Sequence, residues 1–323
     1  MWRPEDYANL PSRPCPGPGY TILEGVRLSS PGMALARDGR FIEDPLTRLN
    51  PPWLSPALER DLALGAQRRR GRRVSGSVDR GILLAGDGVD VYGHQLIDFL
   101  PGLAMLDEFD LFTDWPLLLP SRAPKWLPPL IEVFSRHSRE IRTFSHRRSV
   151  SIEIGELCVP WVLRHPGFHP AANRIFDRIA GLADGDGNGV GRGRRIFVLR
   201  QRQARRLANA GEVSGLLEAR GFEAVAPEQL PFLDQVRLFA GANFVAGEAG
   251  SALHGAVFSK PGATTIELRP ETYHVQGQPA IAVLRRHAFT SVKGAQRGGG
   301  RMSREPWTLD LQAVERRLEE VGV

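Results

Sequence analysis

The 323-residue chain is poor in cysteine and in lysine, and each shortage narrows what it can do. Cys15 and Cys158 are its only cysteines, too few for a disulfide framework or a cysteine-based metal site, and both read as inert small apolar residues. Histidine and cysteine form no cluster, so no metal ligation is expected. No apolar run approaches the ~20 residues that cross a bilayer. The N-terminal stretch Met1–Tyr20 carries acids and prolines where a signal peptide needs a basic patch and an apolar core. Cytoplasm is the default location that follows. Only Lys125, Lys260 and Lys293 among the 42 basic residues are lysine, and the formal net charge of +6 is almost wholly arginine. The densest cluster is Arg68-Arg69-Arg70-Gly71-Arg72-Arg73, and a looser one runs from Arg136 to Arg148. Neither has the aromatic interleaving of a single-strand platform, so solvated surface arginines are expected rather than a specific nucleic-acid site. Peripheral contact with the anionic inner face of a membrane stays open for either cluster.

What is present is alternation. Residues 181–193 (GLADGDGNGVGRG) hold glycine at every second or third position and read as a flexible linker. An N-terminal α/β domain over 1–180, with an irregular, proline-rich 1–75, then precedes a nucleotide-binding Rossmann-like domain over 194–285. A tail over 286–323 ends in an amphipathic helix, Leu309 to Val321. Downstream of the linker, Arg195–Leu199, Phe222–Val225, Asn243–Gly247 and Thr264–Leu268 are short apolar runs fit for buried strands. Helical spacing separates them over 209–220, from Leu233 towards Gly241, and over 251–258. Strand–helix alternation with short connections predicts an α/β fold with a parallel, doubly wound sheet. In the N-terminal part Gly81–Ala85, Trp115–Leu119 and Ser151–Ile154 look like strands, and 94–108 like a helix interrupted by Pro101.

The chemistry gathers in a few segments. Gly247-Glu248-Ala249-Gly250-Ser251-Ala252-Leu253-His254 follows a predicted strand, and a helix starts near Ser251. Glycines there let a ligand approach the backbone, and free helix amides favour an anion. Ser251 is suited to cap that helix and to donate to a phosphate. The same turn serves equally as plain strand–helix packing, and His254 alone serves packing as well as phosphate contact. Glu267, one strand later, is placed to accept ribose hydroxyls, or is an exposed strand-end carboxylate. Arg200, Arg202, Arg205 and Arg206 follow the first C-terminal strand, where a guanidinium can clamp a diphosphate. His94 and Asp98 stand four apart on one helical face, a spacing for a carboxylate-oriented general base and also for ordinary core pairing.

In order, four blocks resemble glycosyltransferase family 61, whose bacterial members include capsular polysaccharide biosynthesis proteins. They are Gly93–Pro101; Phe197–Arg200 continuing to Arg205–Asn209; Gly221-Phe222 with Pro227–Leu230 and Asp234-Gln235; and Val245–His254 through Phe258–Gly262 to Ile266–Leu268. The resemblance implies a GT-B fold, two Rossmann-like domains facing a cleft. It implies inverting, metal-independent transfer from a nucleotide-diphosphate sugar, a UDP-sugar first, to a glycan hydroxyl, with no cofactor. Arg200, Arg205, Asn209, the Gly247–Leu253 turn and His254 would hold the donor, Glu267 would lie near the ribose, and His94 and Asp98 would face the acceptor. The chain departs from the family pattern at Ala210, where an acid is usual, and at Gly255, where asparagine is common. Those departures leave a non-catalytic nucleotide- or glycan-binding protein as the alternative, with nucleic-acid binding by the arginine clusters third.

Overall fold

The computed structural model describes residues 19–29, 33–37, 42, 70–86, 89–147, 149–161, 163–164, 167–184, 193–200, 206–273, 277–296 and 305–323. The chain divides into two compact units, Cys15–Arg164 and a second that takes in His165–Val323. Both are α/β, and each is built on a six-stranded sheet.

In the first unit, strands β1 (Gly19–Ser29), β2 (Met33–Leu35), β3 (Arg73–Leu83), β4 (Leu117–Pro120), β5 (Ile141–Phe144) and β6 (Val150–Trp161) lie in the order β2-β1-β6-β3-β4-β5. Strands β6, β3, β4 and β5 run parallel, and β1 runs antiparallel to both β6 and β2. The apolar runs at Gly81–Ala85 and Ser151–Ile154 mark only parts of β3 and β6. The first five residues of β3 are exposed, so a polar half extends the strand where no apolar run marks it. The same reason hides β1: it is an eleven-residue strand inside the proline-rich 1–75, with Val26 and Leu28 buried and Arg27 between them.

The helical run after β3 begins as an α-turn, Tyr92–His94, widens into a π-helical segment, Gln95–Phe99, and tightens into α1 (Leu100–Glu108). Pro101 is in the first turn of α1. A proline ring there crowds the carbonyl four residues back and offers it no N–H, and the π segment lies where that ladder is broken. Helix α2 (Leu127–Phe134) packs on α1.

Two-residue strands β7 (Leu163–Arg164) and β8 (Gly167–Phe168) precede α3 (Ala172–Asp184). Helix α3 corrects one expectation: Gly181–Asp184, counted with the glycine-rich linker, are helical. Phe176 and Ile179 on α3's buried face hold that last turn down. Residues 185–192 lie outside the described residues.

The second unit continues with β9 (Arg194–Val198), α4 (Ala210–Ala219), β10 (Glu223–Val225), α5 (Phe232–Ala240), β11 (Ala242–Glu248), a 3-10 helix (Ser251–Phe258) and β12 (Thr264–Pro270). It ends with α6 (Gly277–Arg285), β13 (Ala288–Gln296), β14 (Trp307–Thr308) and α7 (Leu311–Glu320). The sheet order is β10-β9-β11-β12-β13-β14, parallel throughout except for β14. Alternate side chains face opposite layers. Phe197, Ala246, Ile266 and Leu268 meet Val213 and Leu217 of α4 and Val314 and Leu318 of α7. On the other face Phe258 packs edge-on against Phe176 and Phe232, at 5.7 and 6.0 Å between ring centroids.

Two arginines expected at the surface are interior. Arg72 is buried, and its Nη1 donates to Ser29 Oγ at 2.9 Å. Arg139 forms an ion pair with Asp107 in which the side chains are 1% and 0% exposed. Burial alone would raise the Asp107 carboxyl. Hydrogen bonds from Arg139, Ser135 Oγ and the Arg136 amide outweigh it and hold the group below the ordinary carboxylate range. Residues 68, 69 and 148 of the two clusters, and Cys15, lie outside the described residues. Cys158 is fully buried, and burial pushes its thiol up to about 12, so no reactive thiolate forms near neutral pH.

Removing one partner of a buried pair strands the other charge. Asp107→Ala is therefore expected to lower the unfolding free energy by about 3–5 kcal/mol in chemical denaturation. An unchanged midpoint would mean that the pair carries no stability.

Candidate active site

A parallel sheet opens a crevice at the carboxyl ends of its strands where the strand order reverses direction. In the second unit that point falls between β9 and β11, because β10 lies on one side of β9 and the later strands on the other. Val198, the last residue of β9, pairs with Gly247, and Gly247 pairs with Glu267. The sequence-predicted arginine and glycine turn are thus neighbours across this crevice.

Arg200 Nη1 donates to the Ala249 carbonyl at 2.6 Å. Gly250 has φ +154° and ψ −177°, a region that glycine alone occupies freely. A Cβ there would lie 2.9 Å from Arg200 Nη1 and 3.0 Å from its Cζ, so the missing side chain is what lets the guanidinium lie across the turn. Gly247 is equally constrained, since a Cβ would lie 3.0 Å from both Val198 Cβ and Leu253 Cδ1. Gly250, not Ser251, is the N-cap of the 3-10 helix, and no side chain caps it. This corrects the expected Ser251 cap: Ser251 is already the first helical residue, with its side chain beyond the capping position. Leu253 is fully buried and donates its amide to Gly250 O at 3.0 Å, so it belongs to the turn's interior. Ala249 N–H is bound to Leu268 O at 2.8 Å. The first amides of such a helix have no acceptor within it, which leaves those of Ser251 and Ala252 beside the Arg200 guanidinium.

The remaining predicted donor-side residues have other surroundings. The Asn209 amide is engaged at both ends by Leu309, donating to its carbonyl at 2.9 Å and accepting from its N–H at 3.1 Å. That gives Asn209 a bracing task, tying the start of α4 to the chain before α7. His254 rests on Gly277 at the start of α6, and its Nδ1 lies 3.3 Å from Gln278 Oε1. Glu248 is buried. Residues 201–205, including the predicted Arg202 and Arg205, lie outside the described residues.

The two departures at positions 210 and 255 have packing counterparts. A Cβ on Gly255 would lie 2.1 Å from the Phe239 ring, so Phe239 already fills the space of a side chain there. Ala210 packs against the apolar cluster of Phe197 and Leu217.

Glu267 is 2% exposed and faces away from Ile266 and Leu268, into the layer below the 3-10 helix. Its Oε2 lies 3.8 Å from Arg269 Nη1, too far for a hydrogen bond. Burial pushes its carboxyl up to about 7, against a smaller downward pull from Arg269.

In the first unit the strand order reverses between β3 and β6, and the chain leaves β3 there to enter the helical run. His94 and Asp98 stand on this run. His94 Nδ1 lies 2.6 Å from Asp98 Oδ2, and the Asp98 side chain is 4% exposed against 36% for His94. A carboxylate can only accept, so the proton between them sits on Nδ1, and in the neutral ring the lone pair is then on Nε2. Gln95, fully buried, donates through Nε2 to Val89 O at 3.0 Å and ties the preceding loop to the same run. No signal in the sequence marks Gln95, because its partner is a loop carbonyl.

Among the described residues no group of three or more His, Cys, Asp or Glu is placed to hold a metal ion, and no helix is long and apolar enough to cross a membrane. A parallel sheet with a glycine turn, a guanidinium and unpaired helix amides at its switch point makes an α/β protein able to hold an anionic group. Residues 92–266, more than half of the chain, match the model of the family Glycosyltransferase 61, and the chain belongs to that family. Membership implies glycosyl transfer. No curated protein matches the chain. The matched span opens at Tyr92 beside the His94 run and closes at Ile266, one residue short of Glu267.

A carboxyl whose folded pKa is raised favours the native state fully below its unfolded value near 4.5 and loses that contribution as pH rises through about 7. Stability of the wild type should fall by roughly 3 kcal/mol across that window through Glu267. Glu267→Gln should flatten this part of the profile. Superimposable pH–stability curves for the two proteins would show that Glu267 does not titrate abnormally.

Proposed function

We propose that this protein is an inverting glycosyltransferase of GT-B type that moves a sugar from a nucleotide-diphosphate donor to a hydroxyl of a surface or capsular polysaccharide or related glycan. The donor is a UDP-sugar in the first instance. The observation that carries this reading is the meeting of Arg200, Gly250 and the unpaired Ser251 and Ala252 amides at the β9–β11 switch point. Family membership supplies the chemistry that such an anion site would serve.

In this reading the acceptor oxygen attacks the anomeric carbon as the bond to the diphosphate breaks. The acceptor proton passes to His94 Nε2, and Asp98 steadies the imidazolium that results. The diphosphate departs with the bonding pair. Its added negative charge meets the Arg200 guanidinium and the two amides, donors already in place before charge develops. Positive groups of the protein then do the work that a divalent cation does elsewhere, so metal independence is part of the proposal. The site of action is the cytoplasm or the cytoplasmic face of a membrane.

Sugar transfer or donor hydrolysis, followed as nucleoside diphosphate release, is expected to fall by about 10²–10⁴-fold in Arg200→Ala and in His94→Ala with folding intact. Wild-type turnover in both variants would overturn the mechanism. Donor binding without turnover in the wild type would instead favour a non-catalytic family member. Activity should persist in excess EDTA, and complete loss there would assign a metal to the reaction.

A further inference from the structure

Two aromatic side chains flank the His94 run and take no part in the chemistry proposed above. Tyr92 opens the helical run, two residues before His94, and its ring meets Trp126 edge-to-face at 5.7 Å between centroids and 68° between planes. Trp126 reaches this position from a different strand: it ends the connection that leaves the carboxyl end of β4, the neighbour of β3, and precedes α2. Both rings are only half-buried. The same connection carries the exposed Ser121, whose Oγ lies 2.9 Å from His146 Nδ1 just past β5. The carboxyl edge of β3, β4 and β5 thus offers, in order, a base, an indole with open surface and a solvent-facing polar pair.

An aromatic surface held half in water by a second ring is suited to a ligand that is apolar on one face and polar at its rim. A pyranose is such a ligand: its axial C–H bonds lie against a ring face while its equatorial hydroxyls project outward. Arg122 and Lys125 are exposed on the same connection, but the surface that Tyr92 and Trp126 offer is aromatic, and a ring face gives a bare phosphate no donor. We propose that Trp126, backed by Tyr92, is a carbohydrate-stacking subsite that holds the acceptor sugar beside His94. This deepens the transferase reading and rests on it for the word acceptor, but sugar binding at Trp126 is measurable without turnover.

Saturation-transfer NMR on the full chain tests it, with the methyl glycosides of glucose, galactose, mannose and N-acetylglucosamine as probes. The ring protons of at least one glycoside should saturate with the wild type. The effect should fall about tenfold in Trp126→Ala and persist in part in Trp126→Phe, which keeps an aromatic face. Arg200→Ala should leave it unchanged, so loss of donor turnover in that variant speaks to the diphosphate site and not to this one. Equal saturation in wild type and Trp126→Ala, or no saturation of any of the four glycosides by the wild type, would each overturn the proposal.

Discussion

Strand β9 pairs with β10 on one side and with β11 on the other, and the connections to these two neighbours must leave in opposite directions. The crevice between β9 and β11 is the space those diverging connections cannot fill. Gly247 and Gly250 keep it clear of side chains, and Arg200 crosses it to reach the Ala249 carbonyl. Substituting a larger residue at either glycine would press on Val198, Leu253 or the guanidinium itself. The open crevice of the unit thus follows from the pairing of two non-consecutive strands, with a few residues shaped to suit it.

The first unit reaches a comparable result by a different irregularity. Its reversal of strand order lies between β3 and β6, and the helical run that starts there is not a regular α-helix. Pro101 disturbs the ladder, the π segment takes up the disturbance, and Asp98 lies within it, turned inward against His94. A buried carboxylate and a half-exposed imidazole at 2.6 Å form a polarised pair whose open end is Nε2. In the same run Gln95 Nε2 donates to Val89 O, and at the far end of α1 Asp107 pairs with Arg139 out of water.

Much of the second unit is legible in the amino-acid order because its strands are buried on both faces. Ile196, Phe197 and Val198 form an uninterrupted apolar run, as do Phe244, Val245 and Ala246, and glycines bound the connections. The first unit is harder, since half of β3 is solvated and most of β1 is not buried. Long-range tasks stay hidden for another reason. Asn209 is spoken for by Leu309, one hundred residues further on, and no local pattern announces that partner. Arg72 and Arg139 look like members of basic clusters until their partners Ser29 and Asp107, also distant in the chain, come into contact with them. Composition predicts which charges exist, while tertiary contact decides which are free.

The contact between Gly255 and the Phe239 ring carries a consequence for how this chain relates to others of its family. A side chain at position 255 and a phenyl ring at position 239 compete for one volume, so the two sites form a single unit of variation. An asparagine placed at 255 in this chain requires a smaller residue at 239, or displaces α5 from the 3-10 helix. In an alignment the pair should appear as linked columns, and grafting the common family residue onto this chain one position at a time passes through an overpacked intermediate. Gly255 is therefore tied to Phe239: in this chain a side chain at one position requires a smaller one at the other.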